Sequence, residues 1–159
     1  MPKQIPCLWF DGQAEAAAAH YIAIFPNSRI DGVTHYGPDT PGTEGAVMTV
    51  DFSLDGQSYV GLNGGPQFRF TEAISFQIMC ADQEEVDHYW NRLGEGGEKG
   101  PCGWVKDRFG VSWQVVPIRL QELIDDPDTG RSQRALHAML QMQKIDIAEL
   151  ERAADTVPA

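Results

Sequence analysis

A chain of 159 residues with 42% apolar side chains is long enough to bury a core and too apolar to stay disordered. Its 23 acidic residues against 12 basic ones leave a formal charge of -11, which repels phosphate backbones and anionic lipid and argues against nucleic acid or a membrane surface as partner. No run approaches the roughly 20 apolar residues that cross a bilayer, and the opening residues lead into a strand-like run without the apolar core of a signal peptide, so a cytoplasmic protein is expected.

Residues 5–10 read as a short strand, and Asp11-Gly12 as a turn whose aspartate caps the following helix. Ala17, Tyr21, Ile24 and Phe25 recur at helical spacing, and Pro26-Asn27 ends that helix because proline cannot continue its hydrogen-bond ladder. A strand over residues 29–36 is followed by a loop rich in Gly, Pro and Thr over 37–45, expected to be mobile and exposed. The next run alternates: Met48, Val50, Phe52 and Leu54 share one face, while Val47, Thr49, Asp51 and Ser53 share the other. Asp55-Gly56 is a hairpin signal, residues 58–63 return as the partner strand, and Gly64-Gly65-Pro66 closes the first half.

The order then restarts. Residues 75–80 are strand-like, Asp82 to Glu85 form a capping box, and Val86, Tyr89, Trp90 and Leu93 mark the inner face of a helix, which puts Asp11 and Asp82 in equivalent places. A glycine-rich passage over 94–103 stands where the first half has its longer second strand, and residues 103–107 meet 111–116 across a turn. After Pro117 come a helical turn and two short helices, one with the stripe Leu136, Met139 and Leu140, the other capped through Asp146 and Glu149 with Ile147 and Leu150 inward.

Three cysteines, Cys7, Cys80 and Cys102, are odd in number and widely spaced, so neither a disulfide framework nor a zinc site is indicated, and their apolar neighbours predict buried thiols. His20, His35, His88 and His137 have no metal-motif spacing. Neither a nucleophile elbow nor a phosphate-binding glycine loop occurs, and the order of elements lacks the alternating parallel strands of a doubly wound cofactor fold. Asp51 is the one acidic candidate for proton transfer, with a solvated carboxylate as the plainer reading.

The segments Pro6-x-Leu8-Trp-Phe-Asp-Gly12, Asn63-Gly-Gly-Pro66, Gly103-Trp-Val-Lys-Asp107, Gly110-Val-Ser-Trp-Gln-Val-Val-Pro117 and the tail over 138–147 resemble the PhnB-like family, often labelled demethylubiquinone methyltransferase, of the vicinal-oxygen-chelate superfamily. That superfamily also holds glyoxalases, extradiol dioxygenases and bleomycin-resistance proteins. The resemblance implies an α+β fold in which two βαβββ modules curl mixed sheets around a cleft, usually completed in a homodimer. Residues 1–117 would form this glyoxalase-like domain, in modules of about 1–66 and 67–117, with 118–159 as a C-terminal helical extension.

On that fold, parity sends Ile5, Cys7, Trp9, Val60, Leu62, Phe76, Ile78, Cys80, Val111, Trp113 and Val115 under the helices. Leu8, Phe10, Tyr59, Gly61, Asn63, Ser75, Gln77, Met79, Ser112, Gln114 and Val116 then line the cleft. The expected ligand-binding residues are Leu8, Phe10, Asn63, Gln77, Met79, Trp104 and Gln114, a mainly apolar surface with three amides to fix a neutral or carbonyl-bearing molecule. The positions that match the superfamily's metal ligands hold Gln4, Asn63, Ser75 and Gln114, none able to offset the cost of dehydrating a divalent ion, so no metal and no other cofactor is expected. A small-molecule-binding protein is the first reading. A metal-assisted lyase, isomerase or dioxygenase acting on a small carbonyl or enol compound is the second, and a methyltransferase is not expected.

Overall fold

The computed structural model describes residues 3–159, which form two compact units divided between Phe70 and Thr71. The first runs β1 (Cys7–Phe10), α1 (Ala14–Ile24), β2 (Arg29–His35), β3 (Val47–Leu54) and β4 (Gln57–Asn63). Its sheet has the order β1-β4-β3-β2, with β1 parallel to β4 and the other pairs antiparallel. The second repeats the design with β5 (Ser75–Cys80), α2 (Gln83–Gly94), β6 (Glu98–Lys99), β7 (Trp104–Lys106) and β8 (Ser112–Pro117). There the order is β5-β8-β7-β6, again with the first pair parallel. The fold is α+β, two βαβββ modules with helices α3 (Ile118–Ile124), α4 (Thr129–Leu140) and α5 (Ile147–Asp155) appended to the second unit.

In the first unit Val50, Phe52 and Leu54 are buried, as the alternation of that strand requires, and Phe52 stacks on Tyr59 at 5.4 Å and 12° beside Tyr21 of α1. Gly61 faces α1 as well: a side chain there would begin 3.1 Å from the Ala14 methyl and 3.5 Å from the Phe10 ring. Leu8, Phe10, Tyr59, Gly61 and Asn63 therefore lie under the helix rather than in a cleft. Cys7, Trp9, Val60 and Leu62 take the opposite face, and Cys7 is exposed instead of buried. This reverses the expected parity of β1 and β4.

A capping difference explains the reversal. Asp82 caps α2 as expected, accepting from Glu85 N at 2.9 Å while the Glu85 carboxylate accepts from Ala81 N at 2.8 Å. Asp11 does not cap α1. The cap position is Gln13, which gives no side-chain bond, and the free amide of Ala14 donates instead to Asn63 Oδ1 at 2.9 Å. Three residues separate β1 from α1 and two separate β5 from α2, so aligning the two aspartates slips the first strand by one position. Such a slip turns every side chain over.

The second unit keeps its expected parity. Val86, Tyr89, Trp90 and Leu93 of α2 are buried with Val105, Val111, Trp113 and Val115, and Phe76 lies 5.4 Å from Trp113. Cys80 is fully buried, and burial first, then Glu85 and Asp82, pushes its thiol up to about 12. The unfolded chain would release that proton near pH 8.5, so stability is complete below that value and is lost as pH rises towards the folded value. Thiol titration of the native protein should accordingly label exposed Cys7 quickly and Cys80 only on unfolding; equal rates would contradict the burial of Cys80.

The tail is integral to this unit. Leu120, Leu123, Ala135, Ile145, Leu150 and Ala154 share a buried cluster against which Val116 of β8 packs. Cys102 N and Gly103 N donate to Met142 O and Gln143 O, both at 2.8 Å, and Gln83 of α2 bonds Ile145 O and Ile147 N. The expected stripe on α4 is shifted by one residue: Ala135 is buried while Leu136 and Leu140 are exposed. Asp146 caps α5 by accepting from Glu149 N, as expected.

Candidate functional site

The predicted site residues separate by face. Asn63 is spent on the fold of the first unit: besides holding Ala14 N, its amide donates to Val47 O at 3.1 Å. The adjoining Gly64-Gly65-Pro66 turn is shaped by Trp9, whose indole N–H donates to Gly65 O at 2.8 Å. A side chain on Gly64 would sit 2.3 Å from the Trp9 ring, so only glycine lets the indole lie there. Leu8 and Phe10, at 6% and 2% exposure, are core residues of the first unit. Leu8 and Phe10 line no open surface opposite their helix, while Asn63 borders a cavity of about 450 Å³ beside the N-terminal end of α1.

Gln77, Met79, Trp104 and Gln114 do share a face, the side of the second sheet turned away from α2. Register pairs Gln77 with Gln114 and Gln114 with Trp104 in one row across the strands, while Met79 pairs with Val116 in the next. A polar row runs beside them, Ser75 to Ser112 to Lys106 to Glu98. Gln114 Nε2 donates to Ser75 Oγ at 2.8 Å, so two of the positions where the superfamily places metal ligands bond each other. Among the described residues no three His, Cys, Asp or Glu side chains are grouped to hold a metal ion.

Over this face opens a cavity of about 400 Å³, lined by Pro101, Trp104, Lys106, Ser112, Glu72 and Glu98 among others. Lys106 forms an ion pair with Glu72, which holds the lysine above and the glutamate below its ordinary range, and Glu98 reinforces the lysine. Ser112 is 2% exposed, and its Oγ has no hydrogen-bond partner among the described residues. A buried hydroxyl without a partner carries a desolvation cost of about 1–3 kcal/mol, so it is a group awaiting one.

Sequence parity put Ser112 on this face but gave it no role, and it passed over Lys106 and Glu72. The alternation of Trp104 and Lys106 about buried Val105 was the available signal for the lysine. Glu72 lies outside any strand, and no periodicity marks it.

Two other cavities are less suited to a ligand. One of about 560 Å³ lies among α2, α3 and α5, but its polar groups are mutually satisfied, Arg119 by Glu122 and Glu151, Asp146 by the α5 amide. One of about 450 Å³ in the first unit borders the loop over 37–46, where Tyr36 already donates to Asn63 O at 2.6 Å. Asp51 is exposed on its strand and meets no acid–base partner among its described hydrogen bonds.

Two mixed four-stranded sheets, each built as βαβββ with its first and last strands parallel, define a vicinal-oxygen-chelate protein. The model of the family described as 3-demethylubiquinone-9 3-methyltransferase matches residues 2–116, and the chain belongs to that PhnB-like family. Among solved structures, the PhnB protein of Bacillus cereus is 31% identical with a TM-score of 0.64, the match covering 73% of this chain and 99% of that one. A Pseudomonas aeruginosa protein is 20% identical with a TM-score of 0.61, covering 74% and 98%. The fosfomycin resistance protein FosX of Listeria monocytogenes, solved with Mn(II) and sulfate, is 22% identical with a TM-score of 0.46, covering 70% and 88%. No curated protein matches the chain. Among the described residues no helix is long and apolar enough to cross a membrane.

Proposed function

We propose that this protein binds a small, largely apolar molecule, without a metal, on the face of its second sheet opposite α2. The observation that carries the reading is Ser112, which lines a cavity of about 400 Å³ together with Trp104 and whose buried hydroxyl has no partner among the described residues. A concave, mostly apolar site with a few placed polar groups is the usual form of a small-molecule pocket. Gln77, Met79 and Gln114 extend the same surface, and Gln114, anchored by Ser75, keeps its Oε1 available as an acceptor.

The transferase in the family's description is not carried over. Each sheet holds a single parallel pair among antiparallel ones, whereas the common dinucleotide-type cofactor site needs a doubly wound parallel sheet with a glycine-rich strand-to-helix turn. The homodimer implied by the family likeness belongs to the same reading, and sedimentation equilibrium decides it by a mass of twice 17.6 kDa.

A thermal-shift screen against a metabolite library, run with and without divalent cations, tests the function. Stabilisation by a ligand alone, lost on Trp104→Ala, is expected. Stabilisation that appears only when ligand and cation are both present would replace this reading with metal-assisted chemistry. Ser112→Ala should leave the unliganded protein as stable or raise its melting temperature, because it deletes a hydroxyl that bonds nothing; a fall would show that the hydroxyl is paired.

A further inference from the structure

The charges and donors around this cavity select among ligands. Its one lysine on the sheet face, Lys106, is engaged by Glu72 and flanked by Glu98, its register neighbour on β6. Lys99 pairs in register with Val105, and its aliphatic stem runs against Gly94 of α2, so its side chain lies on the other side of the sheet. Lys99 thus borders the cavity only from the α2 side, so the sheet face itself offers an anionic ligand no uncommitted cation, and the chain's charge of -11 opposes one from a distance. What remains is an aromatic ring with the apolar Pro101 beside it, and a buried hydroxyl that can donate and accept.

Resting on the reading above, we infer that the ligand is a neutral molecule with a planar apolar body, laid on Trp104, and one hydroxyl or carbonyl oxygen bonded to Ser112 Oγ. A carboxylate or phosphate in the same place would have to displace Glu72 from Lys106. Because Glu72 is exposed and outside any strand, its ion pair acts as a selectivity element, occupying the cation against free anions. Specificity here comes as much from what the site refuses as from what it bonds.

Three probes of nearly one shape separate these contributions: toluene, p-cresol and p-toluate. Each is titrated into the full chain at neutral pH while the Trp104 indole N–H resonance is followed. The wild type should bind p-cresol about 5-fold tighter than toluene, the worth of one neutral hydrogen bond, and about 10-fold tighter than p-toluate. Ser112→Ala should erase the preference for p-cresol over toluene while keeping toluene binding. Glu72→Gln, an exposed change that leaves the fold alone, should tighten p-toluate several-fold relative to p-cresol by freeing Lys106.

Should p-toluate bind the wild type best, or the ratio of p-cresol to toluene survive Ser112→Ala, or Glu72→Gln leave p-toluate as weak as before, the selection rule is overturned while the pocket stands. Should none of the three move the Trp104 resonance, the pocket itself is overturned.

Discussion

Asp107→Ala should cost the second unit roughly 3–5 kcal/mol, an effect expected from leaving three N–H donors, one of them a buried indole, without their shared acceptor at about 1–3 kcal/mol each. The carboxylate is 2% exposed and accepts from Phe109 N at 2.8 Å and Val111 N at 3.1 Å through one oxygen, and from the Trp113 indole at 2.8 Å through the other. It thus closes the turn between β7 and β8 and holds one of the unit's two buried core tryptophans by its polar end. Asp107→Asn keeps an acceptor for the two amides and turns an N–H₂ against the indole N–H, so it should cost less, about 1.5–3 kcal/mol. Denaturant midpoints at unchanged slope measure both. A loss under about 1 kcal/mol for the alanine variant would mean that water satisfies those donors in the native state.

The second large effect lies in the first unit, where the contrast of Leu8 with Cys7 tests the reversed parity of β1. Phe52 is 1% exposed between the rings of Tyr21 and Tyr59, and Phe52→Ala should cost about 3–5 kcal/mol through lost transfer energy and the cavity left behind. Its neighbour Asp51 points away from α1 and is exposed, so Asp51→Ala should stay within about 0.5 kcal/mol. On the same logic Leu8→Ala belongs with Phe52, and Cys7→Ser with Asp51. An order in which Cys7→Ser costs more than Leu8→Ala would restore the parity read from sequence.

The element order was legible because turn chemistry and periodicity agreed: Pro26, Asp55-Gly56 and the alternation through Phe52 each mark a real boundary or face. The second unit was legible down to single side chains, since Asp82 is a true cap and fixes the phase of β5. The first was not. All four residues of β1 are apolar or cysteine, so alternation carries no phase, and the phase borrowed from Asp11 was off by one because α1 starts a residue later and takes its cap from a distant asparagine. Parallel pairing of Trp9 with Leu62 then carried the error into β4.

The same slip moved Asn63 of the amide trio to the helix side of its own sheet. Gln77 and Gln114 are register partners, but Asn63 belongs to the N-terminus of α1. The ion pair of Lys106 with Glu72 joins a strand to a segment outside the sheet, a long-range contact of a kind that no local pattern encodes. Nor could sequence show that Ser112 lacks a partner, which follows only once every neighbour is placed.

Backbone chemical-shift mapping with p-cresol tests the central claim most directly. Perturbations should cluster at Trp104, Lys106, Ser112 and Gln114 and spare Leu8, Phe10 and Asn63, which are locked against α1. Shifts centred on those three, or scattered without a focus, would contradict a site on the second sheet.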